Sequence, residues 1–403
     1  MRLTAMASRG GNPDRDAPAG RSAALSRWAS GRSLYLDDLK VILVAAVIGG
    51  HALIGYSAFD WWSYSDVREV TLSPVTVGVL MAVAVPFGMI VIPLLFLIAG
   101  LLTPPSLRRH GVAGYARSRL LRLGVPFAVF ALLLWPYLEY ALFRLAGHVD
   151  VSYPAYLRVV GTLDTGVLWF IGALLMFSLA YAAGVTIGRG RRWPGPGEAR
   201  ARDLLTLTAA VVVVTFLLRL VLPYETDSPY IDVNLWEWPL CAALFGLGVA
   251  MSRHGWATTV PDRLRRRCRA VTLAAAVAAG TFLGVVLATG ITEDQLAGGW
   301  RWPALLFVAG ETVIAVFGPV WLLAAAQTHL GRRPRRWGPA VARSAYGAFM
   351  VQGLVLFALA VTLRAAPAPA EVKALVVAVA GIAGSYGLSW LLISRVPLAA
   401  RLL

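Results

Sequence analysis

Cysteine is nearly absent from this sequence: two residues, Cys241 and Cys268, among 403. The first lies in an apolar run and the second in an arginine cluster, so no disulfide framework is built in. There is no CxxC and no Cys/His set at metal-ligand spacing, which leaves no metal to expect. Neither a GxxxxGK[ST] loop nor a GxGxxG turn after a strand occurs, so the usual nucleotide cradles are missing. Charge is scarce too. Charged residues make up 14% of the chain against 58% hydrophobic, and only Lys40 and Lys373 are lysines. Those proportions belong to membrane proteins rather than soluble enzymes. The formal charge of +16 would point to nucleic acid in a soluble protein. Here the arginines sit in short clusters between apolar runs, as the positive-inside rule produces, so no nucleic-acid partner is expected.

What is present is a series of long apolar runs. Residues 1–33, rich in Gly, Ser, Ala, Pro and Arg, read as a disordered cytosolic tail. They lack the apolar core of a signal peptide, so no cleavage is expected. Ten runs follow, near 39–59, 78–103, 122–143, 164–187, 204–222, 234–252, 270–290, 302–328, 344–363 and 372–394. Pro86 and Pro93 are expected to interrupt the second. Connecting segments alternate in character. One set carries Arg108, Arg109, Arg117, Arg119 and Arg122, then Arg189, Arg191, Arg192, Arg200 and Arg202, then Arg253 and Arg263 to Arg269, then Arg332, Arg333, Arg335, Arg336 and Arg343. The other carries Asp60, Trp61, Trp62, Asp66 and Glu69, then Asp150 and Asp164, Glu225, Asp227 and Asp232, Glu293 and Asp294, and Glu371. A missed span would invert the alternation. The expected fold is therefore an all-α integral membrane bundle of about ten transmembrane helices over residues 34–403, multi-pass in the cell (plasma) membrane, with both termini cytosolic.

Four constellations could carry chemistry. In the first run Asp37, Lys40 and His51 fall near one helix face, with His51 about 16 Å beyond Lys40 at ~1.5 Å per residue. That places it near the bilayer centre. An ionisable side chain at such depth is costly and marks a functional site by default, although a packing histidine is the alternative. Gly49 and Gly50 remove bulk beside it. At the start of the third run Arg119 and Arg122, with Arg117 close by, share a helix face. They are either ordinary inside-positive flanks or a phosphate site for a nucleotide or coenzyme A. Trp169 and Phe170 open the fourth run as interface anchors or as sugar-stacking walls. Glu311 and Gln352 lie at membrane depth, Glu139 and Glu237 fall near the outer interface, and Arg219 could pair with one of those two glutamates. A histidine near pKa 6.5 is the natural activator of a hydroxyl, so the set points to group transfer across a membrane.

At this point the chain resembles the integral-membrane acyltransferase-3 family from residue 34 to the C-terminus. The residues that carry the likeness are Leu36-Asp-Asp-Leu-Lys40 followed by His51, Phe96-Leu-Ile-Ala-Gly100, Arg119 and Arg122 ahead of Pro126, Leu168 to Ile171, Ser344-Ala-Tyr346-Gly347 through Gln352, and Trp390 to Pro397. The branch of periplasmic-glucan-modifying C proteins is especially similar. The resemblance implies an O-acyltransferase that moves an acetyl or succinyl group from cytosolic acyl-CoA to a hydroxyl of a glycan, lipid or natural product, without a metal. It implies that His51 is the catalytic base or acyl carrier, aided by Asp37 and Lys40. Arg119, Arg122 and Arg117 would hold the CoA phosphates, and Trp169, Phe170, Glu311, Tyr346 and Gln352 would contact substrate. The chain departs from the family at Lys40, where an arginine is usual, and at Gln352, where many relatives carry histidine. A glutamate known from another branch is replaced by Leu174. The alternative function is a proton-coupled transporter or flippase of a polar lipid or metabolite, with His51 and Glu311 as the relay.

Overall fold

The structure, a computed structural model, describes residues 17–57, 62–160, 163–188, 201–226, 231–253, 259–331 and 337–402. Residues 1–16 of the tail, and the loop residues Asp60, Trp61, Arg189, Arg191, Arg192, Arg200, Asp227, Arg332, Arg333, Arg335 and Arg336, lie outside the described residues.

Each apolar run read from the sequence is helical over most of its described length. In chain order these are α1 (Ala17–Ile54), α2 (Pro74–Arg119), a π-helical turn (Leu120–Gly124), α3 (Val125–Val129), a second π turn (Phe130–Leu134), α4 (Trp135–Leu145), α5 (Tyr153–Val160), α6 (Trp169–Ile187), α7 (Ala201–Leu218), α8 (Trp238–Arg253), α9 (Asp262–Thr289), α10 (Glu293–Ala297), α11 (Trp302–His329), α12 (Pro339–Leu363), α13 (Ala370–Arg395) and α14 (Pro397–Leu402). Proline in the first turn starts α2, α11 and α12, where its missing N–H costs nothing. Gly290, at φ 68°, closes α9. The two strands are two-residue bridges, β1 (Leu163–Asp164) and β2 (Ile231–Asp232), paired in parallel.

Seven of the described segments are long and apolar enough to cross a membrane, the first being the 72-residue Pro74–Leu145. Their outward faces carry exposed apolar side chains, among them Val75, Val79 and Val83 on α2 and Val277 and Leu287 on α9. Lipid is the solvent in which such a surface is stable. The chain is a multi-pass, all-α membrane protein.

Pro86 and Pro93 do not break α2. The backbone stays helical through both, and through Pro104 and Pro105, and departs from helix only at Gly111 (φ 71°, ψ 172°). The sequence expectation fails because proline's fixed φ is itself helical and its cost is one lost hydrogen bond, whereas a positive φ needs glycine. The two π turns have a local cause. Each lies just ahead of a proline, Pro126 or Pro136, whose ring clashes with the carbonyl four residues earlier in a regular α-helix.

Packing divides the helices into neighbourhoods. α1 sits against α12 and α13, α2 against α8, α11 and α6, and α11 against α9 and α7. The α2–α8 crossing is a backbone-to-backbone approach. A Cβ on Gly100 would lie 2.0 Å from the Phe245 carbonyl oxygen, and one on Gly248 would lie 2.1 Å from that of Leu97. Phe96, one turn before Gly100, is fully buried against Phe170 and Phe177.

The segment after α1 folds back over it. α1 ends at Ile54, short of the span to residue 59 expected from hydropathy, and Leu72 N–H closes the returning loop onto the Tyr56 carbonyl at 2.8 Å. Trp62 and Tyr64 are buried rather than solvated. The loop is tied to the α12–α13 corner. Lys373 Nζ meets Glu69 Oε1 at 2.7 Å and donates to the Arg364 carbonyl at 3.1 Å. Tyr64 donates to Glu69 Oε2 at 2.7 Å, and Arg364 donates to the Val67 carbonyl. Burial works to raise the Glu69 carboxyl, but Lys373 and Tyr64 outweigh it and hold Glu69 below its ordinary value.

Two outcomes follow from this packing. Gly248→Leu should cost about 1–3 kcal/mol by overpacking and lower the thermal midpoint in detergent, while Gly246→Ala, whose Cβ meets nothing within 4 Å, should not. Equal midpoints for the two variants would contradict the close crossing. A carboxyl held below its unfolded value stabilises the fold above that value, and the contribution is lost as pH falls through the folded one. Acidification below about pH 4.5 should therefore lower the midpoint of wild type more than that of Glu69→Gln.

Candidate functional site

His51 lies in the last turn of α1, beneath the returning loop. Its Nδ1 is 3.1 Å from Oε1 of Gln352, on α12. Gln352 is fully buried, and its Nε2 donates to the Phe349 carbonyl at 3.1 Å. A carbonyl only accepts, so the amide nitrogen must face Phe349 and the amide oxygen must face the histidine. Nδ1 therefore carries the proton, and Nε2 carries the lone pair in the neutral ring. Among the described residues no group bonds Nε2. A Cβ on the adjacent Gly50 would meet nothing within 4 Å, so the backbone beside the imidazole borders open space.

The ring face is set as well. Trp62 stacks on His51, with centroids 4.7 Å apart and planes at 17°. Trp62 in turn meets Trp135 at 5.4 Å and Phe357 at 5.3 Å. Trp135 donates its indole N–H to Asp164 Oδ2 at 3.0 Å, and Asp164 Oδ1 accepts from the Gly166 N–H at 2.7 Å. Gly353, next to Gln352, admits the Trp135 ring: a Cβ there would lie 2.2 Å from it. Beside this wall an apolar crevice is lined by Phe130, Leu134, Leu138, Leu168, Met350 and Leu354.

Asp37 and Lys40 do not reach His51. They pair with each other at 3.6 Å, about 16 Å along the helix at ~1.5 Å per residue. Between the expected basic residues the geometry is specific. Arg119 lies over the Tyr115 ring at 5.0 Å, and Tyr115, buried, meets Thr103 at 3.1 Å. Arg122 is exposed within the first π turn, and its carbonyl accepts from the Tyr346 hydroxyl at 2.8 Å. Arg117 is exposed one turn earlier. Phe170 is buried between Phe96, 4.6 Å away, and Phe349, 5.7 Å away. The Trp169 N–H reaches the Asn234 side-chain oxygen at 3.0 Å once that amide is turned to satisfy both its ends.

Glu311 stands apart from the histidine. Its partner is Arg219 at 2.8 Å, both side chains being buried. The sequence had left Arg219 to Glu139 or Glu237. The Arg219 guanidinium lies over the rings of Tyr224 (4.9 Å), Trp236 (5.5 Å) and Phe307 (5.6 Å). Its Nε and Nη1 have no hydrogen-bond partner among the described residues.

Reading the sequence alone missed Trp62, Trp135, Asp164 and Lys373. Trp62 and Asp164 fall in the acid-rich connecting segments, and loop composition does not say which loop folds inward. Lys373, one of only two lysines and placed at the start of an apolar run, was the visible signal for a buried partner.

Neither a curated protein nor a solved structure matches this chain. A family model does, that of the acyltransferase domain of the acyltransferase-3 family, and it spans residues 33–394. The histidine, the arginine turn and the Tyr346-to-Gln352 stretch all fall inside that match, and the chain is a membrane acyltransferase of the acyltransferase-3 family.

Proposed function

We propose that this protein is an O-acyltransferase that moves an acetyl or succinyl group from cytosolic acyl-CoA to a hydroxyl of a glycan, lipid or natural product, with His51 as the base. The observation that carries the reading is the His51–Gln352 hydrogen bond, which leaves the Nε2 lone pair free. Nε2 takes the acceptor's hydroxyl proton as the oxygen attacks the thioester carbonyl. Collapse of the tetrahedral adduct breaks the C–S bond, and the imidazolium returns its proton to the CoA thiolate. In a two-step variant Nε2 itself attacks the thioester and expels CoA thiolate, and the acylated imidazole then passes the acyl group to the hydroxyl, whose proton ends on the thiolate. Gln352, buried and unable to take up a proton, orients the imidazole.

Arg119, Arg122 and Arg117 take the CoA phosphates on the cytosolic side, with Lys40 and its partner Asp37 near the same end of the bundle. Guanidinium forks match phosphate oxygens, and Arg117 and Arg122 are exposed and free to turn toward a ligand. The aromatic wall of Trp62 and Trp135, with Trp169 further round, borders the acceptor's path. The likeness to the glucan-modifying branch makes a glycan the first acceptor to try.

This chemistry needs donor and acceptor on opposite faces, which fits ten spans in the plasma membrane with both termini cytosolic. Pro74–Leu145, about 108 Å of helix at 1.5 Å per residue, is long enough to cross twice, with its break at Gly111. α1 and α7 supply the remaining spans beside the other six. The transporter reading is weaker, because His51 and Glu311 sit in separate pairs, a hydrogen bond with Gln352 and a salt bridge with Arg219.

Release of CoA from acetyl-CoA and from succinyl-CoA by purified protein in detergent tests the chemistry. His51→Ala should lower turnover by about 10²–10⁴-fold while donor binding persists. Gln352→Leu should lower kcat by about tenfold or more, since it frees the tautomer. Full turnover in His51→Ala would end this mechanism. For the donor, Arg119→Ala and Arg122→Ala should each weaken acetyl-CoA binding about tenfold, yet leave binding of acetyl-pantetheine, which lacks the phosphates, unchanged. Equal loss for both ligands would remove the phosphate role.

A further inference from the structure

The Arg122 carbonyl has a shortage built into the sequence. In an α-helix it would accept from the N–H of residue 126, and Pro126 has none. The π turn Leu120–Gly124 is the backbone's response to that proline. The Tyr346 hydroxyl reaches this carbonyl from α12, donating to Arg122 O at 2.8 Å. Sequence reading made Tyr346 a substrate contact; its hydroxyl is instead engaged with backbone.

We propose that Tyr346 is a positioning residue for the acyl donor: by holding the Arg122 carbonyl it fixes the turn that aims the Arg122 guanidinium at a CoA phosphate. The inference rests on the donor reading above. Two further observations support it. The Arg119 side chain is set from the other side, by Tyr115, which is buried and tied to Thr103 ahead of the Gly111 break. The spacing of the two guanidinium groups therefore depends on two tyrosines from two elements, as well as on helical pitch. α12, which carries Tyr346, also carries Gln352 six residues on, about 9 Å along the axis at 1.5 Å per residue. One rigid helix thus touches both the backbone of the donor arginine and the ring of the catalytic histidine.

The test is a double-mutant cycle on acetyl-CoA turnover by the full chain in detergent. Tyr346→Phe keeps the ring and removes the hydroxyl. It should raise KM for acetyl-CoA by about two- to tenfold, the worth of one hydrogen bond, with kcat held within about twofold. In the Arg122→Ala background the same change should add nothing to KM, since there is no guanidinium left to aim. Additive losses in both backgrounds would mean that Tyr346 contacts the donor directly, and would overturn the proposal. So would a fall in kcat with KM unmoved, or a lowered thermal midpoint with both constants unchanged. If Arg122→Ala itself leaves KM unmoved, the donor reading falls and this proposal falls with it. A normal Arg122→Ala effect beside a silent Tyr346→Phe overturns the proposal alone.

Discussion

The hydrogen bond between Gln352 and His51 is the contact that fixes the buried imidazole, and the proposed chemistry rests on it. A neutral imidazole has one donor nitrogen and one acceptor nitrogen, and an unrestrained ring exchanges them. Gln352 ends that exchange because its own amide is already committed: the Phe349 carbonyl consumes its N–H and leaves only oxygen for the ring. The Trp62 face then removes rotation out of plane. A carboxylate in the same position would orient the ring and also stabilise an imidazolium. A glutamine only orients. In the proposed mechanism that arrangement suits proton transfer within a single acyl-transfer step better than a long-lived ionised relay.

That contact is only as good as the helices that supply it. α1 brings the histidine and α12 the glutamine, and the two pack side by side with α13. The loop after α1 would be free to lift Trp62 away were it not tied at Glu69, Tyr64 and Val67 to the corner between α12 and α13. The same pair of helices thus sets both the in-plane partner of the ring and its stacking partner. Further along α12, Tyr346 meets a helix that two prolines have forced into π turns. A rigid element that touches a catalytic ring at one point and an arginine turn at another makes their separation a property of the fold rather than of side-chain rotamers.

Much of this was legible in the sequence, and the parts that were not have physical reasons. His51, the arginine pair and the Tyr346-to-Gln352 stretch stand out because a polar residue within an apolar run is costly enough to need an explanation. The helices follow from hydropathy and from prolines at their first turns. Partners were not legible. Lys373 with Glu69 and Arg219 with Glu311 join residues 304 and 92 positions apart, and nothing local encodes that. Pro86 and Pro93, read as interruptions, leave the backbone helical, whereas the one non-helical residue of α2, Gly111, lies in the arginine-rich segment placed between the second and third runs. The inward fold of Trp62 was hidden because an aromatic residue beside acids reads equally well as an interface anchor.

The buried charges bear on the proposal that places the base at His51 rather than at Glu311. An ion that leaves water must be matched or neutralised. Lys373 is matched by Glu69 and Arg219 by Glu311, at 2.7 and 2.8 Å. The Glu311 carboxylate is already committed to the buried Arg219 guanidinium. His51 has the opposite situation. It is neutral when unprotonated, so burial costs it little, and its one committed nitrogen is satisfied by a neutral amide. Its other nitrogen is left with a lone pair. His51 can gain and lose a proton without breaking a salt bridge, which is what the proposed transfer to a hydroxyl would ask of its base.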